Sequence, residues 1–244
     1  MEPNRFQSSI STGRQGTKID AGLRSYMMRV YNYMAMGVGL TGVVIMLMAN
    51  SPELLTLAVK GWWVLLAALF GMGWFSPKIL SMRNTALAQL YFWSYAALWG
   101  VLISPTVVAF LNIEGGVEQV ARAFLITTAM FLGTSIYGYT TKKDLSGMAQ
   151  FLVMAIIGLF IAAVANVFFF ESTGFAFMAS FGFVLLFAGM TAYETQFIKD
   201  MYTHNAGAGG DTVTRMAVFG ALMIYGNFVV MFINLLQMLG FMQE

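Results

Sequence analysis

Seven apolar runs, each long enough to cross a bilayer, occupy most of this chain and leave little of it for anything else. A helix needs about 20 apolar residues to span roughly 30 Å of hydrocarbon, and the runs fall at 26–49, 54–75, 86–111, 120–140, 148–170, 174–198 and 213–241. Polar breaks separate them: Asn50-Ser51-Pro52-Glu53 after the first, Ser76-Pro77-Lys78 after the second, and Asn112 to Gln119 with Glu114 and Glu118 after the third. In lipid the backbone must satisfy its own hydrogen bonds, so each run is expected to be a helix. Only 10% of the residues are charged, against about 25% in soluble domains. The fold class expected is therefore an all-α integral membrane protein, with no large domain outside the bilayer.

Residues 1–23 are polar and rich in Ser, Gly and Thr, and lack the apolar core and cleavage site of a signal peptide. They are read as a flexible cytoplasmic tail, ahead of a seven-helix transmembrane domain over 24–244. Loop charges set the orientation. The tail side holds Arg5, Arg14, Lys18, Arg24, Arg29, Lys78, Arg83, Lys142, Lys143, Lys199 and Arg215; the opposite side holds only Lys60 and Arg122. Basic residues stay cytoplasmic, so the N-terminus is expected inside and the C-terminus outside. Their spread among loops gives no basic patch for nucleic acid. Trp62-Trp63 and Trp74 suit the aromatic belts at the two faces.

Small residues stud the runs at Gly37, Gly39, Gly42, Gly133, Gly138, Ala162, Ala163, Ala165, Ala188 and Gly189. They are expected to let helices approach closely. Among the polar residues inside the runs, the candidates besides Glu194 are Asn166, Asn227, Asn234 and, near the start of the third run, Gln89. Such amides commonly bond across helices, at about 0.6 kcal/mol each, and that is the expectation for Asn166 and Asn234. Asn227 and Asn234 are seven apart and share a helix face.

Glu194 is the one carboxylate inside a run. A charge in hydrocarbon costs at least about 2.5–3.5 kcal/mol on insertion scales. Two readings are open: a carboxylate reaching the headgroups from a helix end, since Lys199 follows only about 7.5 Å along a helix, or a buried ion or proton site.

Most membrane chemistries are struck off by residue type. There is no cysteine and only one histidine, His204, in a polar loop, so histidine-rich zinc sites are excluded. The last run has no lysine for a retinal Schiff base, no run holds a deep His or Lys to activate a serine, and Glu194 has no second acid for a dyad. The chain is not expected to be an enzyme, nor to hold a cofactor.

Three stretches resemble a known family. Ile136-Tyr137-Gly138-Tyr139-Thr140-Thr141-Lys142-Lys143-Asp144-Leu145-Ser146-Gly147 resembles the junction of the fourth and fifth spans in the Bax inhibitor-1 family. Thr191-Ala192-Tyr193-Glu194-Thr195-Gln196 is similar to its sixth-span motif, usually Tyr-Asp-Thr-Gln. Gly220-Ala221-Leu222-Met223-Ile224-Tyr225-Gly226-Asn227-Phe228 is similar to its seventh-span motif. The resemblance runs from about Leu23 to Gly240. It implies seven helices with the seventh central and wrapped by the other six, in a bacterial inner membrane.

The resemblance also implies a pH-sensitive calcium leak, in which carboxylates on the sixth and seventh helices share a proton and gate the pore. Carried over, the first is Glu194, while the second position is Asn227, in Ile-Tyr-Gly-Asn-Phe-Val-Val where the family has Leu-Tyr-Leu-Asp-Phe-Ile-Asn. Glu194 then lacks a like-charged partner at that position, and any pH response is expected to be a single-site titration. Calcium takes six to eight oxygens; Glu194, the Asn227 amide, Thr191, carbonyls and water would make a weak, transient site. Lys78, Arg83 and Lys142 are the basic residues expected to pair with Glu194 in a closed state, with the gate at the cytoplasmic ends of helices two, four and six. The expected partners are the lipid bilayer and calcium or other cations. A second reading from the same resemblance is a non-conducting regulator that binds a membrane protease or stress-response partner, and a third is a proton-coupled transporter of small solutes.

Overall fold

A computed structural model of the chain describes residues 5–205 and 207–241, with side chains from Ala21 onward. The order of elements is α1 (Arg5–Ala49), α2 (Pro52–Lys60), α3 (Trp62–Phe75), α4 (Lys78–Ser81), α5 (Thr85–Leu111), α6 (Gly116–Thr140), α7 (Ser146–Ala165), a π-helical turn (Asn166–Phe170), α8 (Thr173–His204) and α9 (Gly210–Phe241). The described residues are all helix and connecting turns.

Six of these stretches are long and apolar enough to cross a membrane: Ala21–Ala49, Thr85–Leu111, Gly116–Thr140, Ser146–Phe170, Thr173–His204 and Gly210–Phe241. The run expected at 54–75 is not one straight helix. It is the pair α2 and α3, bent by 71°. Gly61 sits at the bend, ending α2 by donating its N–H to the Leu57 carbonyl at 2.8 Å and starting α3 by accepting from Val64 and Leu65. At 1.5 Å per residue neither α2 nor α3 reaches across roughly 30 Å alone. The count is six spans, or seven when the bent pair is taken as one.

The segment expected as a tail is described only from Arg5, and there the backbone is already continuous with α1; residues 1–4 lie outside the described residues.

Helix boundaries follow local chemistry. Asn84 caps α5 by accepting the Ala86 N–H at 2.8 Å, and Ser172 caps α8 through Phe175 N–H. Pro52 opens α2, where its missing N–H costs nothing. The π-helical turn ends at Glu171, which adopts a left-handed φ of 47°.

Burial is concentrated in the last helix. Of the apolar stretch of α9, 78% lies inside the protein, against 11–44% for the other five long helices. It packs most extensively on α8, and also on α1, α5, α6 and α4. Tyr225 at its middle is fully buried, with its hydroxyl 2.6 Å from that of Thr41 and donating to the Ala96 carbonyl at 3.3 Å. That ties α9 to α1 and α5 at one level.

The small residues divide by face. A Cβ at Gly37 would strike the Phe92 ring, one at Gly138 would overlap the Ala192 carbonyl oxygen, and one at Gly189 would press on Leu152. Gly39, Gly42 and Gly133 face open space instead, so their smallness brings no helix closer. Gln89 does bond across helices, donating to the Tyr33 hydroxyl at 2.6 Å. Asn166 and Asn234 do not. Asn166 clasps the Ser172 backbone in the turn after α7, donating to its carbonyl and accepting its N–H at 3.1 Å each, and Asn234 donates to Val230 in its own helix at 2.8 Å. Both satisfy nearby backbone, which a sequence pattern cannot distinguish from a cross-helix bond.

Candidate functional site

Glu194 and Asn227 meet across the α8–α9 seam. The helices run antiparallel through a short turn, which brings residue 194 level with residue 227. The Asn227 amide donates to Glu194 Oε2 at 2.7 Å, short enough for a charge-assisted bond. Asn227 is buried and Glu194 is partly buried. Asn227 thus meets Glu194 with a donor, which attracts the carboxylate. One N–H of Asn227 is spent, and Glu194 Oε1 and Asn227 Oδ1 make no hydrogen bond among the described residues.

Thr191 lies one turn before Glu194 and is fully buried. Its hydroxyl donates to the Phe187 carbonyl at 2.8 Å, within its own helix, so its proton is committed to the backbone while its oxygen can still accept. Tyr95 on α5 lies within electrostatic reach of Glu194. Its hydroxyl would sit 3.4 Å from a Cβ placed at Gly226, the residue before Asn227. The site is therefore walled by α5 as well as by the α8–α9 pair.

The three basic residues expected to pair with Glu194 lie apart from it here. Lys78, Arg83 and Lys142 are all exposed, and Lys78 Nζ sits 4.4 Å from the centre of the Phe75 ring. Among the described residues no salt bridge reaches Glu194; the ion pair present is Arg122 with Glu118 at 2.6 Å on the surface. No group of three or more His, Asp or Glu side chains gathers among the described residues either.

A second set of contacts, not anticipated from sequence, fixes the α8 segment around Glu194. Gln196, buried, accepts the Leu145 N–H at 2.9 Å and donates to the Lys143 carbonyl at 2.8 Å. Thr195 shares a 3.0 Å hydrogen bond with Ser135 on α6, and Ser135 shares one of 2.6 Å with Tyr31 on α1. Lys199 Nζ donates to the Tyr139 carbonyl at 3.0 Å. The stretches 136–147 and 191–196 are thus two halves of one joint. Within it, Asp144 accepts the Ser146 N–H at 2.9 Å, and the bonds from the Ser146 backbone and hydroxyl hold its carboxyl below the usual carboxylate range. The signal for Gln196 was available as a polar residue beside Glu194 in an apolar helix, but its partner lies 51 residues away and nothing local points to it.

The chain is similar to known proteins along most of its length. Residues 23–244 match the family described as "Inhibitor of apoptosis-promoting Bax1". The chain is 32% identical over 238 residues to the uncharacterized protein RP147 of Rickettsia prowazekii, covering 96% of this chain and 97% of that one. It is 34% identical over 249 residues to an uncharacterized protein of Caulobacter vibrioides, covering 96% of each. Against the inner membrane protein YbhL of Escherichia coli the identity is 30% over 223 residues, with 90% and 93% covered.

Proposed function

Given that the chain belongs to the Bax inhibitor-1 family, we propose that it is a pH-sensitive cation leak channel of the inner membrane, with calcium the favoured ion. The observation that carries this reading is the Asn227–Glu194 bond of 2.7 Å across α8 and α9. A carboxylate inside a membrane-length helix is retained at a cost. This one has a partner on the most buried helix, and two oxygens left to ligate.

Ionised Glu194 supplies the charge that draws a cation. Asn227 orients the carboxylate and adds its Oδ1, Thr191 adds a hydroxyl oxygen, and water completes the six to eight oxygens that calcium takes. A site with one acid binds weakly, and a leak needs weak binding because the ion must also leave. Protonation of Glu194 removes the charge, so one site sets the pH response. Lys78, Arg83 and Lys142 are the residues that would meet Glu194 in a closed state, at the cytoplasmic ends of the second, fourth and sixth spans. The depth of α9 supports a central seventh helix wrapped by the other six. With α2 and α3 as one span, the basic loops support a tail of residues 1–23 in the cytoplasm and a C-terminus outside. The inner-membrane assignment follows the relative from Escherichia coli.

Calcium flux through purified protein in liposomes at two pH values tests the reading, with Glu194→Gln beside the wild type. The wild type is expected to conduct with a pH dependence that the variant lacks. An unchanged pH profile in Glu194→Gln would remove Glu194 as the sensor, and no flux at either pH would turn the assignment to a non-conducting regulator of another membrane protein.

A further inference from the structure

At the end of the α8–α9 seam away from Glu194, a cavity of about 630 Å³ opens between α5, the end of α7, α8 and α9. Its polar lining is Ser180 on α8, Asn234 and Gln237 on α9, and Asn166 after α7, with Phe183 and Phe241 among the aromatic side chains around them. Among the described residues no charged side chain lines it. Ser180 Oγ lies 3.4 Å from Gln237 Oε1, and Asn234 sends its Nδ2 to Val230, leaving its Oδ1 uncommitted.

These residues share a stripe with the site already described. On α8 the positions Ser180, Phe183, Phe187, Thr191 and Glu194 recur at three- and four-residue spacing, and on α9 Gln237, Asn234, Val230 and Asn227 do the same, which places each set on one helix face. The seam is therefore polar at both ends. Between them it carries Phe187, Val230 and a threonine whose proton is already used. Asn234 lies about 10.5 Å along α9 from Asn227, two turns away.

The lining is mostly apolar, but four amide and hydroxyl side chains give water in a cavity this roomy the partners it needs. Asn166 is already paired with the Ser172 backbone, but Asn234 Oδ1 and the Gln237 amide nitrogen make no hydrogen bond among the described residues, and a lipid chain would leave them so. Resting on the leak reading above, we infer that this cavity is the water-filled outer vestibule of the cation path, and that Phe187 and Val230 form an apolar constriction between it and the Glu194–Asn227 pair. Its ligand is a hydrated cation, met by neutral oxygens of Asn234, Gln237 and Ser180. Hydrophobic narrowings of this kind gate by excluding water.

The chain has no cysteine, so single substitutions report accessibility without background. Gln237→Cys, Asn234→Cys and Phe187→Cys are placed in right-side-out vesicles and exposed on the C-terminal side to a cationic, membrane-impermeant methanethiosulfonate, with a lipophilic maleimide in parallel. Modification at 237 and 234 is expected to be about tenfold or more faster than at 187, and to reduce calcium flux several-fold, as a positive charge placed in a cation path should. Labelling of 237 and 234 by the maleimide alone would overturn the inference in favour of a lipid-filled groove. Equal labelling at 187 would overturn the constriction. Flux that survives complete labelling overturns the vestibule and leaves the leak standing, whereas no wild-type flux at any pH overturns both. Two vestibule positions are used so that a folding defect at one leaves the other to decide.

Discussion

Gln196 on α8 takes the backbone N–H of Leu145 at 2.9 Å, and with its own amide reaches the Lys143 carbonyl at 2.8 Å. One side chain thus closes both backbone groups of the loop between α6 and α7 onto the helix that carries Glu194. Leu145 is buried, so water does not readily replace what Gln196 supplies.

Gln196→Leu removes both bonds while keeping the volume. It is expected to destabilise the protein by about 1–3 kcal/mol, the cost of a buried donor left unmade. Hydrogen exchange at Leu145 should rise sharply, with little change at the far end of α8. Unaltered exchange at Leu145 would show that the loop is held by something else.

Asp144 in the same loop gives the joint a pH dependence. Its carboxyl is held below the usual carboxylate range by the Ser146 backbone and hydroxyl. A depressed acid adds stability that is complete above its unfolded value and is lost as pH falls through the folded one. Protection of the Ser146 N–H, taken relative to the intrinsic exchange rate at each pH, should therefore hold at neutral pH and be lost only below the ordinary carboxylate range. Asp144→Asn should shift that acid step; a step unchanged in the variant would assign it to another group.

Much of the architecture was legible because lipid makes it so. Apolar length and polar breaks located α5 at 86–111 against an observed Thr85–Leu111, since hydrocarbon dictates both where a helix is needed and where it stops. The 71° bend at Gly61 was not legible, because one Lys60-Gly61 step in an otherwise apolar run reads equally well as part of a straight span. Glu194 stood out as a cost, and a resemblance pointed to Asn227. The partners of Gln196, Thr195 and Ser135 depend on how three helices are turned against one another, which spacing within one helix cannot supply. Gly133 and Gly138 make the same point. They are alike in sequence, and only one faces a neighbour.

That difference is testable. A Cβ at Gly138 would overlap the Ala192 carbonyl oxygen, and backbone has no rotamer with which to give way. Gly138→Ala should cost about 1–3 kcal/mol, as overpacking does. Gly133 has open space around its Cβ direction, and alanine there should be neutral or stabilising by up to about 1 kcal/mol, because glycine is the weaker helix former. Thermal unfolding in one detergent compares the two directly. Equal losses would mean that α6 does not approach α8 at Ala192.

The most informative substitution is Asn227→Asp. With the amide in place, Glu194 faces a donor at 2.7 Å and titrates alone, so flux should run from a tenth to nine-tenths of its range over about two pH units. Aspartate at the same distance cannot be ionised together with Glu194 without strong repulsion, and one proton is then shared between the pair. The two protons leave in separate steps that belong to the pair. The flux–pH curve of Asn227→Asp is therefore expected to broaden or split, while the double variant Glu194→Gln/Asn227→Asp should return to one step. Calcium flux in liposomes across the pH range measures all three. A curve for Asn227→Asp with the width and midpoint of the wild type would show that residues 194 and 227 do not act as one titrating unit.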